Sequence, residues 1–125
     1  MFNNILIIGC GLIGSSILRG SISKKISKNI YVFEKSKRTI SFIKKINKKI
    51  KLLKVIDHQV ENMDLIVLGT HMSQYKNIIK KLQRFVSSKN IITDTGSTKR
   101  NIEKLIDKNK KLEEIFVSSH PIAGS

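Results

Sequence analysis

The sequence predicts an α/β fold: a doubly wound parallel sheet of about six strands with helices on both faces. Two observations carry this. Short runs rich in apolar and β-branched residues alternate along the chain with longer segments whose apolar residues recur at helical spacing. A glycine-spaced turn, Gly9-Cys10-Gly11-Leu12-Ile13-Gly14, joins the first such run to the first helical segment. Strands that alternate with helices are linked by right-handed crossovers, which lay the strands parallel and cover both faces of the sheet.

Each element can be justified in turn. Phe2 to Ile8 is nearly all apolar and bounded by glycine, the pattern of a strand buried on both faces. A helix is expected from Leu12 to about Ile26. Ile30-Tyr31-Val32-Phe33 is a second strand ending at Glu34, and Ile40, Ile43, Ile46 and Ile50 then mark a helix whose other face is lysine. Leu52 to Val55 is expected as the third strand, and Leu65 to Leu68, introduced by Asp64, as the fourth. Tyr75, Ile78, Ile79, Leu82, Phe85 and Val86 form the stripe of the next helix. Asn90 to Asp94 is the fifth strand, Ile102, Leu105 and Ile106 lie on a helix after Ser97, and Ile115-Phe116-Val117 is the sixth strand. No repeat or linker interrupts this order, so the 125 residues read as one domain.

Composition narrows the function classes. The net charge is +15, yet Ile and Lys alone supply 42 residues, a bias that fills tolerant surface positions. The lysines are spread over every expected helix, and no aromatic residues interleave with them as a base-stacking surface requires. Specific nucleic-acid binding is therefore not expected. Cys10 is the single cysteine, which leaves no intramolecular disulfide and no cysteine-based metal site; no metal is expected. The first charged side chain is Arg19, but Met-Phe-Asn-Asn lacks the basic start of a signal peptide. The apolar run is also broken by three glycines and is too short to span a bilayer. A soluble, cytoplasmic protein with no membrane contact is expected.

The turn Gly9-x-Gly11-x-x-Gly14 is a weak signal alone, but here a strand precedes it, a helix follows, and an acidic residue stands twenty positions on. That is the context of a Rossmann-type dinucleotide cradle. Gly9 allows the tight turn, Gly11 lets the backbone approach a pyrophosphate, and Gly14 lets helix and strand pack closely. The N–H groups at Leu12 and Ile13 open the helix and face the phosphates. Glu34, at the end of the second strand, can accept from an adenosine ribose hydroxyl. It favours NAD over NADP, because a 2′-phosphate would face a carboxylate; Lys35, Lys37 and Arg38 beside it are read as solvated surface. The bland alternative is a tight strand–helix turn without a ligand.

Such a sheet binds ligands at the carboxyl ends of its strands. Three of these ends are polar: Gly69-Thr70-His71, Asp94-Thr95-Gly96-Ser97 and Ser118-Ser119-His120-Pro121. His120 precedes proline, which holds its backbone extended, and imidazole suits proton transfer near neutral pH. It is either a catalytic base or an ordinary loop histidine. His71 is a weaker candidate and His58 a surface residue. Ser97 stands where a helix N-cap is expected, a position from which it can also face a ligand.

In this order and at these separations, GCGLIGSSI, DLIVLGT, IITDTGSTK and FVSSHPIAGS resemble the prephenate/arogenate dehydrogenases of tyrosine biosynthesis. The pairing of D-x-G-S-x-K with a downstream H-P-x-A-G is the specific part, and the resemblance runs the length of the chain. It implies an NAD-dependent oxidative decarboxylation of prephenate to 4-hydroxyphenylpyruvate, or of arogenate to tyrosine. By the same match, His120 takes the substrate hydroxyl proton and Ser97 lies near that hydroxyl. Gly9, Gly11, Leu12, Ile13, Gly14, Glu34, Thr70 and Gly96 are then on the cofactor, Thr70 near the nicotinamide ribose. Two departures stand out. His71 occupies a position that is usually proline in the family. The family also continues into a helical domain, which forms the homodimer and grips the substrate carboxylates, and residues 1–125 would be the dinucleotide-binding part truncated before it. On this reading the isolated chain is inactive or weak. The alternatives are arogenate specificity, a non-catalytic NAD-binding module that is a remnant or half of a split enzyme, and another Rossmann oxidoreductase of small acids.

Overall fold

The computed structural model describes residues 2–9, 18–20, 22–46, 49–70, 72–94 and 114–117. Six strands form one sheet: β1 (Phe2–Ile8), β2 (Ser27–Phe33), β3 (Lys51–Leu53), β4 (Leu65–Leu68), β5 (Ile91–Asp94) and β6 (Phe116–Val117). Their order is β3-β2-β1-β4-β5-β6, and every neighbouring pair is parallel. Residues 18–20 and 22–24 are helical and belong to α1; α2 is Lys37–Ile46, α3 is Met72–Leu82, and a 3-10 helix covers His58–Asn62.

Alternation along the strands builds two apolar layers. Ile5 and Ile7 of β1 share one face with Val32 and Val67, and that face packs on Leu18 of α1 and Ile43 of α2. Leu6, Ile8, Ile66 and Leu68 point the other way, onto Tyr75, Ile78, Ile79 and Leu82 of α3 and Val60 of the 3-10 helix. Residues 5 to 8 are wholly buried because β1 lies mid-sheet with cover on both sides. That explains an unbroken apolar run where a one-sided strand would alternate. The doubly wound architecture expected from the sequence is thus observed.

Several boundaries differ, each for a tertiary reason. β2 begins at Ser27, three residues before Ile30, because Ser27 and Asn29 pair with Phe2 and Asn4 of β1. Propensity alone gives the polar stretch Ser27-Lys28-Asn29 no strand signal. The first helix stops short of Ile26: Lys25 turns into the left-handed region (φ 51°), and the Ile26 carbonyl already accepts from the Phe2 N–H. β3 covers Lys51–Leu53 rather than Leu52–Val55, and Val55 leaves the sheet largely exposed. α3 ends at Leu82; Phe85 and Val86 instead donate their N–H groups to the Leu82 carbonyl, a turn that still buries Val86. β5 starts at Ile91 and β6 at Phe116, with Ile115 buried just before β6. The helix expected after Ser97 lies outside the described residues.

The 3-10 helix was not foreseen. Asp57 caps it by accepting from the Gln59 N–H at 3.0 Å, and Asn90 pins it. The buried Asn90 amide donates to the carbonyls of Val60, Glu61 and Met63, while its oxygen accepts from the Ser87 N–H. Asp64 likewise accepts from the N–H groups of Asn3 and Asn4 through Oδ2, fastening the entry of β4 to that of β1. No helix among the described residues is long and apolar enough to cross a membrane.

Candidate functional site

The strand order reverses between β1 and β4. The chain leaves β1 toward β2 on one side, then returns to lay β4 against the other. Loops leaving the carboxyl ends of two such strands diverge and open a crevice, the place where open parallel sheets take ligands.

Here that crevice is drawn tight at its base. The Gly9 N–H donates to the Phe33 carbonyl at 2.8 Å, and the Gly69 N–H donates to the Ile8 carbonyl at 2.7 Å. These bonds extend the β2–β1–β4 ladders to the last residue. Gly9 then turns with φ +81°, and a Cβ there would sit 2.9 Å from the Thr70 backbone nitrogen and run into the Thr70 methyl group. Both the positive φ and the contact require glycine. Tyr75 holds the other side of the seam: it is fully buried, and its hydroxyl donates to the Leu68 carbonyl at 3.2 Å.

Thr70 carries the unusual feature. Its Oγ1 is buried and has no hydrogen-bond partner among the described residues. A buried hydroxyl left unpaired costs about 1–3 kcal/mol, and such an atom at the mouth of a crevice fits a group that a ligand would satisfy.

Glu34 stands at the next strand end. Its Oε1 accepts from the N–H groups of Lys35 at 2.9 Å and Ser36 at 3.1 Å. The Ser36 hydroxyl in turn accepts from the Thr39 N–H, capping α2. From Glu34 a groove of about 820 Å³ opens over Phe33, Leu53 and Ile56 and is rimmed by lysine side chains. That volume lies within the range of small-molecule and cofactor sites. Thr70, Gly9 and Glu34 therefore follow one another across the carboxyl ends of β4, β1 and β2, with the groove beyond Glu34.

Of the residues singled out from the sequence, Gly9 and Thr70 are in contact and Glu34 is one strand away. His58 is exposed on the 3-10 helix, as expected. Gly11, Leu12, Ile13, Gly14, Gly96, Ser97 and His120 lie outside the described residues. Two neighbours of the seam carried no clear signal. Tyr75 read only as one apolar position of a helical stripe. Asp94 is 3% exposed and is the register partner of Leu68, two residues before Thr70. A buried carboxylate at a strand's carboxyl end is a site-type feature, and its place at the head of Asp94-Thr95-Gly96-Ser97 was the available clue.

Comparison with known proteins agrees with this geometry. Residues 20–125 match the family model described as prephenate dehydrogenase, nucleotide-binding domain. A prephenate dehydrogenase of Lactococcus lactis is 32% identical over 127 aligned positions, covering 97% of this chain and 34% of that protein. A cyclohexadienyl dehydrogenase of Zymomonas mobilis is 29% identical, covering all of this chain and 42% of that protein. Among solved structures, prephenate dehydrogenase from Aquifex aeolicus, in complex with hydroxyphenyl propionate and NAD+, superposes with a TM-score of 0.77 at 26% identity. That match covers the whole chain and 43% of the Aquifex chain. The chain thus spans less than half the length of each of these relatives.

Proposed function

Because the chain belongs to the prephenate dehydrogenase nucleotide-binding family, we propose that it binds NAD and forms the cofactor-binding part of an enzyme that oxidatively decarboxylates prephenate. The observation that carries this reading is the Gly9–Thr70 seam: a backbone stripped of side chain beside a buried hydroxyl with no partner. A dinucleotide fits both, lying over Gly9 and satisfying the Thr70 Oγ1.

Each residue then has a role. Gly9, Gly11 and Gly14 admit the pyrophosphate, with the N–H groups of Leu12 and Ile13 opening the helix toward it. Glu34 accepts from the adenosine ribose, and Thr70 and Gly96 line the nicotinamide side. When bound, NAD supplies a hydride acceptor for the ring carbon that bears the substrate hydroxyl. His120, as neutral imidazole, takes the proton of that hydroxyl while the carbonyl forms, and Ser97 orients the same hydroxyl. Loss of the ring carboxylate as CO₂ leaves a phenolate, which takes its proton back from the His120 imidazolium, so that prephenate and NAD+ become 4-hydroxyphenylpyruvate, CO₂ and NADH.

Arogenate is the second substrate reading, supported by the cyclohexadienyl dehydrogenase among the relatives. Dimerisation and the grip on the substrate carboxylates are assigned to a helical domain of the kind the family carries, and the protein is read as cytoplasmic. Calorimetric titration of the 125-residue chain with NAD+ tests the cradle, and heat of saturable binding is expected. Silence at millimolar NAD+ would remove the dinucleotide reading. For the chemistry, His120→Asn in a chain that includes the helical domain should lose most of kcat while retaining NAD+ affinity. Unchanged kcat would remove the general base.

A further inference from the structure

We infer that the free edge of β3 is a docking strip for an extended acidic segment of a partner protein. The inference concerns the length of the groove beyond Glu34 and does not rest on the dinucleotide reading.

β3 ends the sheet: it pairs with β2 on one side, and among the described residues no strand lies on the other. A bare edge strand offers its outward N–H and C=O groups to any extended chain, and a lysine reaching over the edge is a common guard against this. Here the lysine at the head of the strand lies the other way. The Lys51 Nζ donates to Asn29 Oδ1 at 3.3 Å and sits 5.3 Å from the centre of the Tyr31 ring, and both partners belong to β2. Lys51 is therefore drawn inward across the sheet.

The groove follows this edge. Residues 52–56 all line it, and Leu52 and Leu53 pack into opposite layers of the core. Its walls come from both faces as well. Ile40 and Lys44 belong to α2, which packs on the layer of Leu52, whereas Phe85, just past α3, packs on the layer of Leu53. A segment added to β3 would turn alternate side chains toward these two walls, the arrangement by which strand addition gains specificity. Val55, 57% exposed, continues the strip beyond the strand.

Charge identifies the occupant. The groove is lined by five basic residues, Lys35, Lys44, Lys54, Lys81 and Arg84, and by one acid, Glu34. That excess attracts carboxylates and repels a second copy of this chain, whose net charge is +15. The rest of the lining is apolar, so the matching segment alternates acidic with apolar side chains.

The experiment titrates the 125-residue chain with a capped peptide of repeated Glu-Val pairs, about eight residues long, followed by calorimetry and by amide NMR shifts. Saturable binding is expected, with the largest shifts at residues 52–56. Two further peptides keep the same side chains, one N-methylated at every valine and the other at every glutamate. Each lacks the donors of one edge, and one of the two should bind at least about tenfold more weakly. The variant Lys44→Gln/Lys81→Gln/Arg84→Gln, changed only at exposed positions, should weaken the parent peptide at least about tenfold. The inference falls if no binding appears at millimolar peptide, if both methylated peptides bind as the parent does, or if the triple variant binds unchanged. It falls equally if a single-stranded oligonucleotide of the same charge produces the same shifts, which would make the strip an unselective anion surface.

Discussion

Gly9 and Thr70 meet across the β1–β4 seam so closely that a methyl group on Gly9 would strike both the side chain and the backbone of Thr70. The contact fixes the distance between two loops that leave the sheet at its point of reversal. It turns a glycine read from a sequence motif into a measurable constraint.

The first prediction concerns that constraint. Gly9→Ala places a Cβ on a backbone at φ +81° with no space to receive it. Strain and forced separation together should cost about 2 kcal/mol or more, read as a lowered urea midpoint. Titration should show NAD+ affinity falling with it. A variant of wild-type stability and affinity would mean that the seam is free to open.

Thr70→Val separates structure from binding. Valine keeps the methyl that faces Gly9 and removes the unpartnered Oγ1. Without ligand the variant should be as stable as the parent or more so, by about 1 kcal/mol. Its NAD+ affinity should drop about tenfold, the worth of one hydrogen bond that is otherwise unmade. Thermal melts with and without NAD+ check both at once, and a variant that loses stability but keeps affinity would assign Thr70 to packing alone.

Tyr75→Phe removes the hydroxyl that donates to Leu68 and keeps the ring. A loss of about 1 kcal/mol is expected, and hydrogen exchange should speed at the carboxyl end of β4 before it does elsewhere. Uniform exchange across the sheet would show that the bond does not act locally.

Asn90 offers a test of the fold away from the crevice. Its amide donates to three carbonyls, so Asn90→Asp, the same in shape, turns a donor into a negative charge facing acceptors. We expect a loss of about 3 kcal/mol or more at neutral pH. Part should return as the pH falls, because the folded state raises the pKa of this carboxyl and favours its protonated form. Chemical denaturation at two pH values measures it. A loss that grows on acidification would contradict the assigned geometry.

Local pattern carried much of this molecule. The unbroken apolar run of residues 5 to 8 required a strand covered on both faces. The alternation of strands and amphipathic segments required parallel crossovers, and Gly9, Thr70 and Glu34 could be named because turn chemistry and strand ends depend on near neighbours in sequence. Tertiary structure decided the rest. Ser27 joined β2 because β1 offered it a partner, and Asn90 became a clamp because the 3-10 helix and the residue after it presented three carbonyls. Those facts depend on residues 25 to 30 positions apart meeting in space, and no local periodicity encodes such a meeting.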